Sequence, residues 1–431
     1  MLAPLVALLV AAGGPADAIN AKTVPLNQLK LTNPHHGLSS KTADAIASKG
    51  VGIGALGGGG SSQSSALPGV DTLANWGSSF TAPGFDTHGN PKSVWPFFMV
   101  GGPPERGDTT VIPAPIIPVF VDLLGPDGSV LATMDPTGFV EPVRRSPMFV
   151  PFRYDSGFTQ FNDAMFRAEF VDRIRGRHHD DDDSDWHVLL FPRVKGAQRM
   201  QIPWNHWFVG VFSDGTIAFA LVDVDVFVNE LFPPTFPVDN TTVIGAAELA
   251  GDMTTRDLTT LLFNNVYLYE NGNPNDCCIL GFHSADSEPG VPSNGNRPRL
   301  YVFDYASWIT PGLFLFGFED ITALSHEIAE TYHDPFGNNL VPWWLSKDPL
   351  TGAAQCQPVL ETGDVVEVLS SLPVYQIDMS GMTYHPQNEA TFNWFARQSP
   401  SKALRGAYSF PDETTLTELS PLLTVGCQPV K

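Results

Sequence analysis

No stretch of this chain runs for 18 uninterrupted apolar residues, so no transmembrane helix is expected. Basic residues are scarce too: 24 Lys and Arg stand against 46 Asp and Glu, a net charge of −22. A chain this acidic repels phosphate backbones and anionic lipid heads, which argues against nucleic acid and membrane surfaces as partners. Charged residues make up only 16%, against roughly 25% in an average domain. The hydrophobic share of 43% is enough for a sizeable core and excludes wholesale disorder. Cysteine is limited to Cys277, Cys278, Cys356 and Cys427, without the CxxC-type spacing of a thiolate metal site. Gly-x-Ser-x-Gly is absent, which removes the serine-hydrolase elbow. No P-loop or dinucleotide fingerprint occurs; Gly57–Gly60 is followed by Ser and Gln, with no Lys.

What is abundant is punctuation. Gly (39) and Pro (38) predict a loop-rich fold with many short strands. The length of 431 residues suits one large domain with appendages, or two. Residues 1–18 (MLAPLVALLVAAGGPADA) read as a secretory signal peptide, with Ala16 and Ala18 as the cleavage site; an ordinary buried segment is the alternative. A secreted or extracytoplasmic location follows, and an even cysteine count there favours two disulfides. Adjacent cysteines rarely bond each other, so the expected pairings join Cys277 or Cys278 to Cys356 or Cys427.

Residues 19–92, rich in Gly, Ser and Pro, read as a flexible leader. Residues 93–340 read as the core, and 341–431 as a C-terminal subdomain that completes the site. Thr110–Leu124 is a strand interrupted by prolines. Thr159–Arg175 shows helical apolar spacing. Strands are expected at Trp186–Phe191, Trp207–Phe212, Thr216–Val228, Val266–Tyr269, Cys278–His283 and Leu300–Tyr305. A second helix spans Asp320–His333, with Asp320 as N-cap, and stops where Asp334 precedes Pro335. Another short helix is expected near Glu389–Phe395. The run His178–Asp185 (HHDDDDSD) lacks the spaced ligands of a calcium loop and reads as a solvated acidic loop.

The chemistry concentrates in Ser325–Pro335, SHEIAETYHDP. His326, Glu330 and His333 stand at i, i+4 and i+7, within about 60° of one another around a helix. Ile321, Leu324, Ile328 and Tyr332 fall on the opposite face, ready for a core. Two side chains one turn apart can share one Zn²⁺ through imidazole nitrogen and carboxylate oxygen. Glu327 points about a quarter-turn away and suits a general base acting on water that a metal has acidified. His333 lies about 10 Å along the axis from His326. It is therefore a metal candidate only if the helix bends; otherwise it serves as a supporting residue or as a cation at a helix C-terminus.

His326-Glu327-x-x-Glu330 resembles the H-E-x-x-H helix of zincin metallopeptidases, with Glu330 in place of the second His. SHEIAETYHDPFGN followed by Cys356-x4-Glu361-x2-Asp364 is similar to a group of secreted bacterial proteins with H-E-x-x-E and a downstream E-x-x-D. The segments around Thr159–Phe170, Cys277–His283 and Tyr384-His385-x-Gln387-x-Glu389 also resemble that group. The resemblance implies an α+β, zincin-like mixed sheet with an early backing helix, a late active helix and a loop-rich C-terminal extension. It implies a secreted zinc-dependent peptidase acting on peptide or protein substrates. His326 and Glu330 would hold Zn²⁺, Glu361 or Asp364 would complete the site, and Glu327 would be the base. Tyr384 and His385 are candidates for stabilising an oxyanion. The alternative is a non-catalytic secreted or cell-surface binding protein with a structural metal or none, using aromatics such as Trp343 and Trp344.

Overall fold

In a computed structural model, residues 15–24, 67–175, 185–233, 240–314, 317–347, 354–370, 373–425 and 427–430 are described. The chain is α+β, with about 22% helix and 40% strand around a curled mixed sheet. The long strand Thr109–Leu124 organises this sheet. Its first half pairs in parallel with His187–Val194, and its second half with Gln198–Ile202 and, antiparallel, with Val130–Met134. Its middle, Ile116–Pro118, pairs in parallel with Leu258–Asn264. Arg299–Trp308 and then the antiparallel edge strand Gly281–Glu288 complete the order.

Strand alternation gives this sheet two apolar faces. Leu258, Leu262, Val302 and Ala306 face one cluster, shared with Leu324, Ile328 and Tyr332 of the helix Thr322–His333. Leu261, Phe263, Phe303 and Tyr305 face the other, under the helices Val224–Leu231 and Val243–Ala250. A smaller sheet of Cys277–Ile279, Val266–Tyr269, Ile217–Asp223 and Trp207–Val211 closes that second side.

Four expectations change. Within the stretch read as a leader, residues 67–92 pack into the fold, and Asn75–Phe85 pairs with Pro91–Val100 as an antiparallel hairpin. Its Trp76, Trp95 and Phe97 are buried, so composition hid a strand whose inward face is apolar. Residues 1–14 lie outside the described set, while 15–24 dock on the molecule: the Val24 backbone donates to Val209, and Val209 donates to Lys22. The run Thr216–Val228 is not one strand. Asp223 caps a helix by accepting from the Asp225 backbone, and Val224, Phe227, Val228 and Leu231 bury at helical spacing. The cysteines pair otherwise than expected. Cys277 and Cys278 stand at disulfide distance from each other, and Cys356 from Cys427. The first two belong to the core beside the smaller sheet, with Tyr269 and Leu280, whereas Cys356 lies on the strand Ala354–Val359.

The strand Leu340–Lys347 spans the boundary placed at 340/341. Leu360, Val365 and Trp394 share one apolar cluster with Ile328, so the C-terminal stretch is packed into the same core. Most of the run His178–Asp185 lies outside the described residues. Among the described residues no helix is long and apolar enough to cross a membrane.

Candidate metal centre

The helix Thr322–His333 is buried along its whole length, so its ligand face does not open on a broad cleft. Its start is set by Thr322, whose hydroxyl lies 2.7 Å from both the Glu319 and the His385 carbonyl and shares its one proton between them. Asp320 is not the expected N-cap. Its Oδ1 accepts from the Ile321 and His385 backbones, so it fastens the incoming C-terminal segment instead. The helix ends at Asp334, whose carboxylate accepts from the Asn338 and Asn339 backbones at 2.9 Å. Asn339 in turn donates to the His333 carbonyl.

A second helix, Thr362–Leu369, brings its N-terminus against the side of the first. The Gly363 and Asp364 amides at its N-terminus donate to Glu330 Oε1 at 3.0 and 3.4 Å. Glu330 Oε2 faces the other way, 3.2 Å from His326 Nε2 and 3.5 Å from His283 Nδ1. Asp364 Oδ1 stands 3.7 Å from His326 Nε2. His326, Glu330 and Asp364 thus form one group with donor atoms within 4.8 Å of one another, and His283, Glu327 and Glu330 form a second. Glu361 Oε2 lies 3.9 Å from His283 Nε2, at the rim.

The orientation of His326 is fixed from behind. Gln387 Nε2 donates to the Gly363 carbonyl, which turns Gln387 Oε1 toward His326 Nδ1 at 3.2 Å. A proton on Nδ1 meets Gln387 Oε1, which leaves Nε2 as the nitrogen facing Glu330 and Asp364 and the one available to a metal. The close approach needs glycine: a Cβ at Gly363 would overlap the His326 ring, and one at Gly281 would sit 2.6 Å from Glu327 Oε1.

The electrostatics are those of crowded carboxylates. Glu327, Glu330, Glu361, Asp364, Glu367 and Glu389 surround two imidazoles. Burial opposes charge on both imidazoles, yet the carboxylates hold them well above the usual histidine range: Glu330 and Glu327 act on His326, Glu361 and Glu327 on His283. Burial also raises Glu361 and Asp364, and the charge on Glu330 raises them further. Glu330 itself is held well below the carboxylate range, because His326 and His283 outweigh its burial. Glu361 Oε2 and Glu389 Oε1 are buried without a hydrogen-bond partner. Buried acceptors and uncompensated negative charge of this kind fit a divalent cation.

Of the residues singled out in the sequence, His326, Glu327, Glu330, Glu361 and Asp364 come together. His333 does not join them. Its Nε2 lies 2.9 Å from Glu169 Oε2 and its Nδ1 2.7 Å from the Ala329 carbonyl. Both nitrogens face acceptors, so both donate, and His333 is a buried cation rather than a ligand. Tyr384 donates to the Pro142 carbonyl, and His385 Nδ1 to Asp320 Oδ2 at 2.7 Å; neither reaches the cluster. The same extended segment supplies Gln387 and Glu389 instead. His283 was also missed as a ligand; its signal was Gly281, the small residue that lets a strand lie against Glu327. Trp344 is buried and donates to the Val359 carbonyl, so it belongs to the core and not to a binding surface. A cavity lined by Arg153, Tyr154, Tyr375, Leu404 and Phe410 shares no residue with the cluster.

No family model, curated protein or solved structure matches this chain.

Proposed function

We propose that this protein is a secreted, zinc-dependent hydrolase of peptide bonds on a zincin-like core. One observation carries the reading: His326 Nε2, Glu330 and Asp364 converge within coordination span at the meeting of two helices. A mixed nitrogen and oxygen donor set suits zinc. When bound, zinc supplies a Lewis acid that polarises a carbonyl and acidifies water. The chain's own residues do the rest. Gln387 orients the imidazole, the helix amides hold Glu330 Oε1, and Glu327 accepts the proton of the attacking water. Burial raises the pKa of Glu327, which brings a carboxylate closer to the range useful to a base near neutral pH. The packing of the helix Phe161–Glu169 beside Thr322–His333 on one sheet face supports the zincin-like arrangement. Two cysteine pairs at disulfide distance are compatible with an extracytoplasmic location.

A second reading, a binding protein with a structural ion, is favoured by the depth of the site. The side chain of His326 is 1% exposed and that of Glu330 5%, and only Glu361, at 18%, opens appreciably to solvent. A peptide-hydrolysis assay on zinc-loaded protein separates the two. Glu327→Gln is expected to keep its zinc and lose at least 100-fold in kcat, as for a missing general base. Equal turnover in that variant removes Glu327 from the chemistry, and no turnover in the wild type favours the structural ion.

A further inference from the structure

The opposite face of the main sheet carries a second set of carboxylates that the proposed hydrolysis does not use. Asp286 and Glu288 lie two residues apart on the edge strand Gly281–Glu288, so both project from the face opposite His283. There they meet Glu248, in the last turn of the helix Val243–Ala250, and the donor oxygens of the three fall within 4.8 Å of one another. Asp286 is 3% exposed and Glu288 5%, while Glu248 keeps partial contact with solvent. Asp286 Oδ2, Glu288 Oε2 and both oxygens of Glu248 are buried without a hydrogen-bond partner.

Arg299 faces this group but does not satisfy it. Its NH2 stays 3.8 Å from Glu288, while Nε donates to the Pro289 carbonyl and NH1 to the Tyr301 hydroxyl. Ionised together, three carboxylates outnumber the one guanidinium by two charges, which one divalent cation would close. Buried carboxylate oxygens aimed at one another are costly without such a partner. The donors are oxygen only, and three carboxylates supply up to six of the six to eight ligands that calcium takes. Zinc, by contrast, is better served by the imidazole-containing site on the other face.

We propose that Glu248, Asp286 and Glu288 bind a calcium ion that ties the helix Val243–Ala250 to the edge of the main sheet. This site stands independently of the hydrolase reading, since it shares no residue with the zinc site.

Equilibrium dialysis of the full chain against calcium chloride tests it, with thermal unfolding measured in parallel. Wild type and His326→Ala are expected to take up one more calcium than Asp286→Asn or Glu248→Gln. Calcium at about 100 times Kd should raise their Tm by roughly 5 °C and leave that of the two carboxylate variants unchanged. Glu248→Gln alters the solvent-facing member, so it decides the comparison should Asp286→Asn misfold. The proposal is overturned if wild type takes up no calcium, if Glu248→Gln binds as much as wild type, or if the uptake is lost in His326→Ala instead.

Discussion

Gly363 has no room for a side chain, because the His326 ring lies where its Cβ would be. The glycine lets the N-terminus of one helix approach closely enough to donate to Glu330 while the imidazole stays in place. Gly363→Ala should therefore push His326 away from Glu330. The expected cost is about 1–3 kcal/mol of stability from overpacking, together with at least a tenfold loss of zinc affinity. Denaturant unfolding and competition against a chromophoric chelator measure the two effects; unchanged zinc affinity would show that His326 is not a ligand. At this scale the sequence was informative where a residue's chemistry is rare in a core. His326, Glu327 and Glu330 on one helix drew attention because imidazole and carboxylates so seldom sit together beside an apolar stripe. Gln387 and Glu389 did not, since an isolated amide or carboxylate in a strand-like segment has no distinctive spacing. Which neighbour they meet is decided by the chain's return across the core.

Between elements, the contact of most consequence is His333 with Glu169, which joins the helix Thr322–His333 to the helix Phe161–Glu169. The His333 side chain is 1% exposed and that of Glu169 is fully buried. Glu169 also accepts from the Phe392 backbone, so one carboxylate gathers three segments. Truncating one partner strands the other charge, and His333→Ala should cost about 3–5 kcal/mol. It should leave zinc stoichiometry unchanged, which a ligand role would not allow. The pH dependence follows from the shift. Burial works against the imidazolium, but Glu169 holds the His333 pKa above its ordinary 6.5. The contribution is fully present below the unfolded-state pKa and is lost as pH rises through the higher folded-state value. The stability gap between wild type and His333→Gln should therefore narrow on the alkaline side of neutrality; a gap that widens there would contradict the pairing. The two large helices were legible from apolar periodicity. The helix Val224–Leu231 was not, because its valines continue a β-branched strand pattern and only Asp223, as a cap, marks the change.

For the whole molecule, the long-range tie is Cys356 with Cys427, separated by 71 residues. Closing a loop of that length constrains the unfolded chain, so Cys356→Ser with Cys427→Ser should lower stability by about 2–4 kcal/mol. Chemical denaturation under non-reducing conditions reads this directly; unchanged stability would mean that the pair does not form. The α+β class was implied by the resemblance and agreed with the order of strand and helix signals, but the pairing of cysteines could not be read, since connectivity depends on where distant strands come to rest. For the same reason the hairpin Asn75–Phe85 and Pro91–Val100 was hidden inside a Gly- and Ser-rich stretch, and only its packing against the core reveals it. The central claim is that His326 and its carboxylate neighbours hold a divalent ion. Elemental analysis of the purified full chain, dialysed free of metal and then equilibrated with zinc, tests this most directly. Wild type should retain one zinc per chain that folded His326→Ala lacks. Equal zinc in the two proteins, or none in the wild type, would contradict the account.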